Sequence, residues 1–266
     1  MSKIETDGFL SQEAKNGISQ IIAKYEDAFR FYKELNRLSM LFLNKIKLDW
    51  KNTYRLVVNT LILRVVENFQ AILLMLERGM LVPSKVLTRA NLETLFILAA
   101  LQKEPNLLQS YIDQHDEAHK RSLKAALQFQ NEQLKASVKR INIEKLYIKK
   151  KAELKGRKLN VLKPKQWAKA ASLEDFYNLY YTMYSNAIHS NLSALEDHVD
   201  DKPDQIDISF GPSDRDLYEL MQCNFYVLIN SIRATALINN ENISQDTDKL
   251  ADEIRKLDRK YIKPIS

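Results

Sequence analysis

The stretch from Leu56 to Leu76 constrains the fold most, because wound as a helix it is apolar almost all the way round. Its polar exceptions Thr60, Arg64, Glu67 and Asn68 fall on one stripe. A helix with so little polar surface has to be wrapped by others, which places it at the centre of a bundle. The wrapping elements are helical too. Among 266 residues there are 5 Gly and 6 Pro, whereas average usage would supply roughly 19 glycines alone. Few tight turns can be made from that stock, and the abundant Leu, Ala, Lys, Glu and Gln favour helix. The predicted fold class is therefore all-α: a single helical bundle with long helices and a protruding basic helical arm, with residues 1–266 forming one domain.

Along the chain, Ile18, Ile21, Ile22, Tyr25, Phe29 and Tyr32 step by threes and fours, which predicts an amphipathic helix over 11–37. The central helix is expected from about Trp50 to a glycine cap at Gly79. Pro83 can open the next helix, which should stop near Pro105. A polar helix over roughly 106–135 and a basic one up to Gly156 follow, and "LNVLKPKQ" reads as a connector. Ser172 with Asp175 has the spacing of a capping box at the head of "LEDFYNLYYTMYSNAIHS". Residues 199–215 read as a loop, after which Ser213 or Asp214 can cap a helix running through Cys223 to about Leu237. A short charged helix should end near Lys260.

Charge is unevenly distributed. From Lys135 to Lys169 there are 13 Lys/Arg against two acids, so that segment carries +11 and the remainder −5 of a net +6. Lys139, Arg140, Lys149, Lys150, Lys151, Arg157 and Lys158 are the candidate nucleic-acid-binding residues, on an arm at about 120–170. Such a density can neutralise several phosphates, so RNA or another polyanion is the expected partner. Tyr147 and Trp167 are candidates to stack bases. The arm lacks a strong apolar face with bulky anchors, so no membrane partner is expected. The lone Cys223 lies in an apolar helical pattern and should be an inert buried thiol, which suits a reducing cytoplasm. The start of the chain lacks a signal-peptide profile, and "AILLML" and "LFILAAL" are short of the ~20 residues that span a bilayer.

Two helices carry a candidate site. Arg89 and Glu93 lie four apart among strongly apolar neighbours, and Ser185 and His189 have the same spacing on the tyrosine-rich helix. If the two faces meet, all four converge. An imidazole there could move a proton, and a guanidinium could grip a phosphate through two parallel hydrogen bonds. The same four residues could equally form a polar network that only fixes helix register. His115 and His119 in "HDEAH" have the spacing of a zinc helix, but position 116 is Asp rather than Glu and the flanks are polar, so a solvated face is expected and no metal. No Gly-rich phosphate loop, catalytic carboxylate pair or Cys/His zinc cluster is present, which sets aside an ATPase, a dinucleotide-binding enzyme and a zinc finger, and no cofactor is expected.

The segments "AILLMLERGMLVPSKVLTRANLETLFILAAL" and "YYTMYSNAIHSNL" resemble a bacterial all-helical family, domain of unknown function 5677. Its members show a glycine followed by an R-x3-E helix and later a Y-x3-S-x3-H helix; here these are Gly79, Arg89 with Glu93, and Tyr181, Ser185 and His189. The resemblance covers about residues 54–214 and implies a site without naming its chemistry. A weaker similarity is to the HEPN ribonucleases, helical and often dimeric proteins of bacterial toxin and phage-defence systems. It implies metal-independent RNA cleavage and a homodimer. The positions four to six before His189 are Ser185, Tyr184 and Met183, so the cation of such a site would have to be Arg89 from another helix. Three functions follow: a nucleic-acid-linked effector, a non-catalytic binding module using the polar pocket or the arm, and a structural helical protein.

Overall fold

A computed structural model describes residues 6–47, 49–188, 195, 198–202, 205–208 and 210–262. It is an all-α bundle. Helix α1 (Ala14–Lys24) and α2 (Glu26–Lys45) occupy the first predicted helix, which is broken at Tyr25, where ψ turns to 28°. The central helix is α3 (Thr53–Glu77), with Asn52 capping it through a side-chain oxygen that accepts from the Arg55 amide. It packs against α2, against α4 (Leu81–Lys103) and against α10 (Leu217–Asn239). Helix α3 is long and apolar enough to cross a bilayer, a length the two short apolar runs do not suggest. In this fold half of that apolar window is buried inside the bundle.

Buried amides key the central three helices together. Asn59 and Asn239 pair at 2.8 Å across α3 and α10. Asn91 donates to the Val65 carbonyl and accepts from Asn68 at 2.9 Å, and Asn224 donates to the Thr88 hydroxyl at 2.8 Å. Around these links sit Phe69, Phe96 and Phe225, each at most 2% exposed. A paired amide in such a core disfavours any sliding of one helix past the next, since a slip would leave it unsatisfied.

Helix α3 ends as a Schellman motif. The Met80 amide returns to the Met75 carbonyl and the Gly79 amide to Leu76, with Gly79 at φ +66°. A β-carbon at Gly79 would lie 2.6 Å from the Ser213 amide nitrogen and 2.7 Å from Ile21, so the motif glycine serves both a left-handed turn and a close approach of the 210–216 segment.

The arm is a helical hairpin. Helix α5 (Leu108–Ala126) runs out, α6 (Glu132–Ile141) forms the tip, and α7 (Ile143–Glu153) returns along α5. Asn142, at φ 57°, bends α6 into α7. The polar helix expected over 106–135 therefore stops at Ala126, and neither α6 nor α7 buries any residue. Helix α8 (Pro164–Ala171) packs back onto α4, and Trp167 is 2% exposed and donates to Gln114. Trp167 is thus a core residue and is not available to stack a base.

Helix α9 has three parts: Glu174–Phe176, a π-helical turn Tyr177–Tyr181, and Thr182–Ile188. The expected capping box is not formed. Ser172 adopts φ 54° and closes α8, its amide bonding to Lys169. The predicted loop at 199–215 contains a hairpin, β1 (Val199–Lys202) antiparallel to β2 (Gln205–Ile208), with Val199 opposite Ile208 and Asp200 opposite Asp207. Neither proposed cap heads α10: Asp214 pairs with Lys24 and Ser213 accepts from the Arg215 amide. The charged helix α11 (Ser244–Tyr261) then lies against α10 and α2.

Candidate functional site

Arg89 and Glu93 project from one face of α4, as their spacing predicts, and meet α9 at Tyr181. Arg89 Nη2 donates to the Tyr181 hydroxyl at 2.7 Å and lies 3.0 Å from Glu93 Oε1. The Tyr181 hydroxyl donates to the same carboxylate oxygen at 3.0 Å. The guanidinium carbon also stands 4.8 Å from the centre of the Tyr181 ring, and Tyr177 stacks behind that ring at 4.8 Å. The arginine is held in plane by hydrogen bonds and from one face by a π-system. Burial, and the Glu93 carboxylate, push the Tyr181 hydroxyl above its usual range, so it is a donor and not an anion.

The π-turn is what supplies Tyr181. Thr182 Oγ1 reaches back five residues to the Tyr177 carbonyl at 3.1 Å, a span one residue wider than an α-turn. The group is open to water on one side: the Arg89 side chain is 19% exposed and Glu93 37%. Arg89 Nε is buried and has no partner among the described residues. Ser185 is half-buried one turn beyond Tyr181. His189 lies outside the described residues. The structure thus joins Arg89 and Glu93 to the tyrosine-rich helix through Tyr181, the tyrosine of the Y-x3-S-x3-H pattern. The signal was in the chain: a tyrosine four residues before Ser185 shares its face.

The arm divides the predicted cationic residues into two groups. Lys150 and Arg157 turn inward onto two aspartates of α5. Asp116 accepts from Lys150 at 2.7 Å and from Arg157 at 3.1 Å; Asp113 accepts from Arg157 at 2.7 Å, from the Asn160 amide at 2.9 Å and from Gln109 at 2.9 Å. Asn160 also donates to Ser110. The partners step 116, 113, 110 against 150, 157, 160, an antiparallel ladder that zips the returning chain to α5. The hydrogen bond from Lys150 lowers the Asp116 carboxyl. Burial raises Asp113, but its three donors outweigh that and leave it below the usual carboxylate range. Lys150 and Arg157 are therefore structural pins. Lys139, Arg140, Lys149, Lys151 and Lys158 are exposed. Asp113 and Asp116 went unrecognised because the charge census of the segment hides two acids that precede it in the chain.

The remaining candidates stay apart from this chemistry. His115 and His119 are exposed, their rings 6.0 Å apart, and among the described residues no three His, Cys, Asp or Glu side chains are grouped to hold a metal. Cys223 is fully buried; burial pushes its thiol far above its usual range, and a hydrogen bond with Tyr184 acts weakly against that. His198 lines a cavity of about 310 Å³ with Phe9, Gly79 and Phe210.

Compared with known proteins, the chain matches the model of a family of unknown function, DUF5677, over residues 55–206. That span contains Gly79, Arg89, Glu93, Tyr181, Ser185, His189 and the whole arm. No curated protein and no solved structure matches.

Proposed function

The chain belongs to DUF5677, a family of unknown function, and we propose that it is a nucleic-acid-linked effector whose arm holds RNA. The observation that carries this reading is the division of labour in the arm. Two of its cations are consumed in pinning it, so that Lys139, Arg140, Lys149, Lys151 and Lys158 are displayed on a fixed limb and not on a loose tail. A surface whose charges are set in advance loses less entropy on binding a polyanion than a flexible basic tail does.

In this reading Arg89 is the second anchor. Clamped by Tyr181 and Glu93, it would hold a scissile phosphate and stabilise the charge that develops on it. His189, four residues after Ser185 in the sequence, would exchange the proton, giving metal-independent cleavage of the HEPN kind. The test is a fluorescent RNA panel at low salt in the presence of chelator. Wild-type protein should bind, and should cut at least one member; His189→Ala should bind and not cut, while Arg89→Ala should lose cutting and part of the binding. Binding without any cutting by the wild type leaves a non-catalytic RNA-binding module. Absence of binding removes the proposal altogether.

A structural reading has one observation in its favour: Arg89, Tyr181 and Glu93 form a closed triangle of hydrogen bonds. It predicts that Arg89→Ala lowers stability and changes nothing else.

A further inference from the structure

Four of the chain's five glycines gather at one place. Gly211 lies within the segment 210–213, and the other three are what that segment rests on. A β-carbon at Gly8 would stand 2.8 Å from the Phe210 ring, one at Gly17 3.2 Å from Pro212, and one at Gly79 2.6 Å from the Ser213 amide nitrogen. A chain this poor in glycine thus places most of its supply where other segments must come close. What the close approach encloses is the cavity of about 310 Å³ at His198, where Gly79 and Gly211 form part of the wall. That volume lies at the lower end of the roughly 300–1,000 Å³ of small-molecule sites.

The lining is of two kinds. Phe9 and Phe210 meet edge to face at 5.3 Å, and Leu81 and Val82 add aliphatic surface from the first turn of α4. The polar side chains are His198, Ser213 and Arg215. Ser213 Oγ accepts from the Arg215 amide at 3.3 Å, which leaves its O–H to donate. An imidazole offers an N–H in either charge state, and a guanidinium several. All three side chains are therefore donors, one of them a permanent cation, and no carboxylate is among the described residues that line the cavity. The acids on either side of Arg215 face other cations: Asp214 lies 2.5 Å from Lys24, and Asp216 3.9 Å from Lys85. Donors around one cation select a negatively charged group that only accepts, and the apolar wall selects a ring-sized body. We infer that this cavity binds a small organic anion with a flat apolar body, its charge met by Arg215 and its ring by Phe9, Phe210 and Val82. Arg89, seven residues or about 10 Å further along α4, does not line it, so the inference stands apart from the nucleic-acid reading.

Such an anion is either an aromatic carboxylate or a nucleoside monophosphate, and calorimetric titration of the full chain tells them apart. Naphthoate and adenosine monophosphate are titrated separately, each beside its uncharged counterpart, naphthylmethanol or adenosine. At least one charged compound should bind one to one, and its counterpart should bind weaker by roughly tenfold or more. The tighter of the two names the source of the charge. Arg215→Glu should weaken binding by roughly tenfold or more. Val82→Phe, which fills the cavity from α4, should do the same, and Arg89→Ala should change nothing. Arg215 is exposed, so its reversal should leave the fold intact, and circular dichroism checks both variants. If the reversal disturbs the fold, Arg215→Gln removes the charge alone and should still weaken binding severalfold. No binding of either compound at millimolar concentration overturns the inference. So does an uncharged counterpart that binds equally well, which would leave only an apolar pocket. Binding that survives Arg215→Glu, or that Arg89→Ala removes, puts the anion elsewhere and also overturns it.

Discussion

At the scale of single residues, each group of the Arg89 site has a separable role. Tyr181→Phe keeps the ring that stacks on the guanidinium and removes only the hydroxyl bridging Arg89 to Glu93. The direct Arg89–Glu93 ion pair survives, so the expected loss is modest, about 1 kcal/mol, read as a shift of the urea midpoint at unchanged slope. Gly79→Ala is a harsher change despite its size. It places a β-carbon at φ +66° and against the Ser213 backbone, neither of which can yield cheaply, and should cost at least ~2 kcal/mol in the same experiment. Cys223 offers a control on the native fold. A fully buried thiol with a raised pKa should leave Ellman's reagent colourless at neutral pH until denaturant is added. Rapid reaction of the folded protein would contradict its burial.

At the scale of elements, the arm's attachment is electrostatic and so depends on pH. Asp113 and Asp116 titrate below the ordinary aspartate value of 3.8, and Lys150 above the ordinary lysine value of 10.5. The aspartates' contribution is therefore complete above about pH 4 and is lost as pH falls through their folded values; that of Lys150 is complete below about pH 10 and is lost as pH rises. Asp116→Asn should lower stability by ~1–3 kcal/mol at neutral pH, and its melting temperature should fall less steeply than the wild type's on acidification. Parallel acid limbs would show that Asp116 is not the titrating partner. This ladder was hard to read in the sequence because its partners are 34 to 50 residues apart, and pairing at that range depends on where the arm turns. Helices α3, α4 and α10 were legible because their apolar period is local. The break at Ala126, the π-turn at Tyr177–Tyr181 and the left-handed Ser172 were not, since neither a glycine nor a proline marks any of them. Of the site, Arg89 and Glu93 could be found by spacing, and Tyr181 shares a face with Ser185, but which of the two meets Arg89 depends on where α9 lies along α4.

At the scale of the whole molecule, one basic segment does two things that a charge count cannot separate. Lys149, Lys150 and Lys151 are consecutive, and only the middle one turns to Asp116; its neighbours stay in solvent. The helix imposes that difference, since successive residues point about 100° apart. Neutralising the outer pair and neutralising the middle residue should therefore have opposite signatures. Lys149→Gln with Lys151→Gln removes two displayed charges, so affinity for a single-stranded polyanion should fall and the slope of log affinity against log salt should flatten by ~1.4, with the melting temperature unchanged. Lys150→Gln should leave that slope nearly intact and lower the melting temperature, because Asp116 keeps Arg157 alone as a charged partner. Fluorescence anisotropy across a salt series, beside thermal denaturation of the same preparations, separates the two. Equal slopes for both variants would mean that the cations act only as diffuse charge and that their placement on a pinned limb contributes nothing to binding.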